Sequence, residues 1–77
     1  MNEEIAKQIV TEYTYLIGER WINKSNGIID TVISIKMKKE IMDWSVIVEL
    51  TPKAENGILE TKQYSLSYFL KEFEKFV

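Results

Sequence analysis

The sequence predicts a small α+β domain in which an antiparallel sheet is braced by a helix at each end. Three observations carry that expectation. Near the start, Ile5, Ile9, Tyr13 and then Leu16 or Ile17 recur at helical spacing. In the middle, residues 28–38 and 44–50 alternate apolar and polar side chains with the period of two that marks a half-buried strand. Toward the end, Leu66, Phe69, Leu70, Phe73 and Phe76 return to intervals of three and four. The chain has 77 residues, 45% of them hydrophobic and 29% charged, which suits a single folded domain and is too short to build two cores.

The first helix falls within residues 1–17. Asn2 is a good N-cap, and Glu3 and Glu4 suit the positive end of the helix dipole. Thr11, Tyr13, Thr14 and Tyr15 favour strands, which leaves Gly18 as the firmest stop. Residues 18–64 form the sheet. A short extended piece over 19–23 leads into a turn at Lys24-Ser25-Asn26-Gly27, where Asn-Gly tolerates positive φ. The strand Ile28–Lys38 turns Ile29, Thr31, Ile33, Ile35 and Met37 to one face, and Asp30, Val32, Ser34, Lys36 and Lys38 to the other. After a turn over 39–43, Trp44, Val46, Val48 and Leu50 face inward, and the two strands make a hairpin. Pro52 ends that strand, a loop runs to Asn56-Gly57, and Ile58–Tyr64 has the weak alternation of an edge strand. Ser65 or Ser67 caps a final helix over 65–77, whose apolar stripe must be covered by the sheet or by a second copy of the chain.

The spacing of Gly18 and Trp21 before the Gly27 turn, the long strand after it, and Tyr64-Ser65-Leu66 leading into Phe69-Leu70 and Phe73 resemble small SH3-like barrel proteins of bacteria and their phages. The resemblance covers about residues 18–76 and implies an SH3-like sheet or barrel without implying an activity. The order of helix, three strands, helix is also similar to that of double-stranded-RNA-binding domains. That family's motifs are missing: there is no histidine for the loop after the first strand, and the last helix opens on Ser-Leu-Ser-Tyr-Phe in place of lysines.

With neither histidine nor cysteine, nucleophilic triads cannot be assembled and the usual zinc ligands are absent. The carboxylate pairs Glu40 with Asp43 and Glu72 with Glu74 read as turn and solvated-helix residues, and the three glycines are isolated. No enzyme and no cofactor is expected. Lack of cysteine suits a reducing, cytoplasmic setting, and no segment has the roughly 20 apolar residues of a membrane span.

Binding is the remaining function class. Residues 20–39 carry Arg20, Lys24, Lys36, Lys38 and Lys39 against Asp30 alone, a net +4, while residues 1–19 and 40–77 each sum to −3. Lysines of this kind guard an exposed strand, and the same patch can contact phosphates. Trp44 continues an inward series and reads as core, whereas for Trp21 core packing and surface recognition both stay open. Tyr15 and the other tyrosines suit a groove as well as a core edge. The expected function is a protein-interaction module, of the kind phages use as accessory or inhibitor proteins. The alternative is a nucleic-acid-binding SH3-like domain using Arg20, Lys24, Lys36, Lys38 and Lys39. A second copy of the chain is a further candidate partner.

Overall fold

A computed structural model describes residues 1–52 and 61–76. Helix α1 (Glu3–Glu12) starts where its cap predicts: the Asn2 carboxamide oxygen accepts the Ile5 amide at 2.9 Å, and Glu3 and Glu4 occupy the first turn. Its buried stripe differs from the expected one. Ala6 is fully buried, Ile9, Val10 and Tyr13 pack against the core, and Ile5 is left exposed. The strand-favouring residues after Glu12 tighten into a single 3-10 turn, Thr14–Leu16, which drops Leu16 into the core. Gly18, at φ +89°, then turns the chain so that its amide donates to the Val32 carbonyl at 2.8 Å.

The strands are β1 (Arg20–Asn23), β2 (Ile29–Lys39), β3 (Trp44–Pro52), β4 (Lys62–Ser65) and β5 (Phe73–Lys75), with helix α2 (Leu66–Glu72) between the last two. They form one antiparallel sheet in the order β4-β3-β2-β1-β5. The Lys24–Gly27 turn forms as expected: the Asn23 and Asn26 side chains accept the Ser25 and Ile28 amides, and Gly27 takes φ +74°. Pro52 ends β3 as expected, and the expected Asn56-Gly57 turn and the start of the next strand lie outside the described residues.

The facing of β2 is corrected by a bulge. Val32 pairs with Leu50 but Ser34 pairs with Glu49, so Ile33 is an extra residue on β2. The insertion shifts the phase of the strand: Asp30 and Val32 face inward before it, and Ile35 and Met37 after it. Ile33, expected inward, is exposed, and Asp30, expected outward, is only 2% exposed. Its carboxylate lies 3.8 Å from the Lys62 ammonium across the concave face.

The final helix is shorter than expected. It is capped by Ser65, whose hydroxyl accepts the Tyr68 amide, and it stops at Glu72, where Phe73 becomes extended (φ −117°, ψ 150°). Phe73–Lys75 then hydrogen-bonds to the outer edge of β1, pairing Trp21 with Lys75 and Asn23 with Phe73. An unpaired strand edge offers the backbone as many hydrogen bonds as another helical turn would, and Phe73 is buried in the strand.

The sheet is open, with β4 and β5 as its two edges, so the closed form of the expected barrel is not formed. It is strongly curled: Tyr64 on one edge and Phe73 on the other have ring centroids 5.5 Å apart. Both helices pack on the concave side, α1 over β2 and β3 and α2 across β3, β4 and β5. The core lies between, with Phe69 against Phe73 at 5.0 Å and against the edge of Trp21 at 5.0 Å.

Candidate functional site

The β2–β3 hairpin is the longest element of the sheet, and its free end is the most distinctive surface. The Glu40 amide donates to the Asp43 carbonyl at 2.8 Å and the Asp43 amide returns to Glu40 at 3.4 Å, leaving Ile41 and Met42 as the turn itself. They are 99% and 94% exposed. Two-residue hairpin loops favour Asn-Gly or Asp-Gly, because positive φ matches the twist of the strands. Here a β-branched and a long apolar residue occupy the turn, and no non-glycine residue among those described has positive φ. Neither turn chemistry nor core packing accounts for this pair.

The base of the tip is held. Trp44 donates its amide to the Met1 carbonyl at 2.9 Å, and the Met1 amine rests on the Asp43 carboxylate. The hydrogen bond from that amine, helped by the Trp44 amide, lowers the Asp43 carboxyl below its ordinary range. Lys39 places its ammonium 5.9 Å from the Trp44 ring.

The basic residues singled out from sequence are spread over the molecule. Arg20, Lys36 and Lys38 share the sheet face that no helix covers, whereas Lys39 is in phase with the concave side. Arg20 stacks over the Phe76 ring at 5.0 Å and pairs in register with Thr31, about 16 Å of strand from Lys36. Lys24 lies beyond β1, its amide bonded to the Glu72 carbonyl. Lys36 is engaged by Glu49 at 3.1 Å. Glu49 also accepts from the Ser34 hydroxyl and, at 3.0 Å, from the Gln63 amide; these bonds, Ser34's first, pull its carboxyl down to about 2. Arg20 and Lys24 are therefore not joined to Lys36, Lys38 and Lys39 in one patch. Trp21 is partly buried and packs against the core, edge-on to Phe69. Tyr15 is exposed and stacks on Tyr13 at 5.9 Å, away from the lysines in sequence and in element.

A groove of about 380 Å³ opens between α1, the start of β3 and the first turn of α2. Its walls include Met1, Ile9, Tyr13, Leu66 and Leu70, and Glu12 is its charged side chain. Sequence reasoning identified neither this groove nor the tip. The tip had a signal, an Ile-Met pair at the centre of a turn without Gly, Asn or Pro; the groove had none, since it joins residues from three distant segments.

Among the described residues no group of three acidic side chains converges as a metal ion would need, and no helix is long and apolar enough to cross a membrane. Set beside known protein families, curated proteins and solved structures, the chain finds no match.

Proposed function

We propose that this chain is a non-enzymatic protein-interaction module that grips its partner with the tip of the β2–β3 hairpin. The observation that carries this reading is the exposure of Ile41 and Met42, at 99% and 94%, in a turn whose backbone gains nothing from them. Burying one such side chain in a partner's pocket is favourable by about 1.5–3 kcal/mol, the size of an interface anchor. The hold of Met1 on Asp43 and Trp44 limits the tip's freedom before binding, which lowers the ordering cost of association. Lys38 and Lys39 beside the tip would steer it toward an acidic partner.

The curled meander with its helix-filled concave side supports an SH3-like kinship, which implies no activity, and the pairing of small size with many aromatics and no catalytic toolkit supports an accessory or inhibitor role of the phage type. Absence of cysteine and histidine supports a cofactor-free protein of the cytoplasm. A photo-crosslinking residue at position 42, in cells producing the full chain, should give a discrete protein adduct that the added substitution Ile41→Glu removes. The same adducts from a crosslinker at the exposed Gln8 would refute the reading.

One observation favours a second reading, nucleic-acid binding: Arg20, Lys36 and Lys38 share the uncovered sheet face. The pairing of Lys36 with Glu49 weighs against it. Amide shifts during titration with short DNA and RNA duplexes at two salt concentrations decide it, since phosphate contacts weaken steeply with salt.

A further inference from the structure

Resting on the reading of the hairpin tip as a docking element, we propose that its partner is a second copy of this chain, and that each tip seats in the other copy's groove between α1 and α2.

Three features of the molecule point to this occupant. The first is chemical likeness. The groove is walled by Ile9, Leu66 and Leu70, with Leu70 left 41% exposed, and its volume of about 380 Å³ lies in the range of pockets that enclose a small apolar group. The tip offers such a group in Ile41 and Met42. The second is charge. Residues 1–19 carry a net −3, and Glu12 of that segment stands in the groove wall, while Lys38 and Lys39 flank the tip. Neither Glu12 nor Lys38 has an ion-pair partner among the described residues. Docking would set the lysines of one copy against the carboxylate of the other, at both ends of the interface.

The third is placement. Met1 lines the groove and also accepts the Trp44 amide at the root of the tip, and Ser45 and Val46, one and two residues further along β3, line the groove too. Tip and groove are therefore neighbours at one end of the molecule. A surface that carries both halves of a complementary pair side by side can close on itself about a single two-fold axis, each contact being made twice. A chain of this length also gains by it, because a small core buries little surface and association is a common remedy.

The test is sedimentation of the full chain from micromolar to near-millimolar concentration. A concentration-dependent dimer is expected. Ile41→Glu on the tip and Leu70→Lys in the groove should each raise its dissociation constant about 1,000-fold, because losing one interface anchor is worth about 30-fold and the two-fold axis makes each contact twice. Both side chains are exposed in the single chain, so unchanged circular dichroism should accompany the loss. Mixing the two variants should restore association above either alone, because one intact tip then meets one intact groove. Glu12→Lys should weaken the dimer, and Lys38→Glu with Lys39→Glu in the same chain should recover it.

A chain that stays monomeric throughout, or a dimer that Leu70→Lys leaves intact, overturns the proposal. In the monomeric case the position-42 crosslink separates the two readings. A persisting adduct with a different protein keeps the tip as a docking element and removes the second copy as its partner, and loss of all adducts removes both.

Discussion

Glu49 shows how one side chain can organise an exposed sheet face. Its carboxylate is met by the Ser34 hydroxyl, the Gln63 amide and the Lys36 ammonium, which together hold the ionised form down to about 2 from an ordinary 4.5. The sign follows from the direction of that shift. A group whose folded value is depressed contributes stability above its unfolded value, and the contribution is lost as pH falls from about 4.5 through about 2. Ser34→Ala removes the largest of the three bonds, so the Glu49 carboxyl should titrate at higher pH in a carbon-13 experiment and part of the acid-side loss of stability should disappear. An unchanged titration would show that Lys36 and Gln63 suffice. Glu49 was legible only as an outward residue on an alternating strand, because the three partners come from β2 and β4 and meet it through register. Asp30 was misread for a related reason. Alternation counted through Ile33 puts it outside, whereas the bulge turns it inward, with Lys62 at 3.8 Å.

At the scale of elements, the hairpin, both caps and the Gly27 turn were legible because each rests on contacts within a few residues: Asn2 to Ile5, Ser65 to Tyr68, Asn26 to Ile28. The bulge at Ile33 was not, since an extra residue leaves no mark in the chain and is defined only by the strand opposite. It makes a sharp prediction. Val32→Ala, at a fully buried position, should cost about 2 kcal/mol, while Ile33→Ala should stay within about 0.5 kcal/mol although it deletes more apolar surface. Urea unfolding of the two variants tests it, and equal losses would place Ile33 in the core and remove the bulge. The end of α2 is a second case. The spacing of Phe69, Phe73 and Phe76 continues a helix, yet the free edge of β1 captures Phe73–Lys75 as a strand.

For the whole molecule, the concave face of one curled sheet is closed by two helices, and Phe69 anchors α2 in the core: fully buried, edge-on to Trp21 and stacked near Phe73. Phe69→Ala should destabilise by about 3–5 kcal/mol and should change Trp21 fluorescence in the folded state. A loss below about 1 kcal/mol would mean that the core does not centre there. From the sequence alone came the class of fold, the hairpin with its inward Trp44, Val46, Val48 and Leu50, and the lack of histidine and cysteine side chains, all of which depend on composition or on short-range periodicity. Only the tertiary structure decided that the sheet stays open, that Trp21 packs against the core, that Arg20 and Lys24 stand apart from Lys36, Lys38 and Lys39, and that Ile41 and Met42 project beside a groove. The physical reason is the same in each case: facing, closure and proximity are set by the register of hydrogen bonds between strands far apart in the chain, which a period of two or of three and four does not encode.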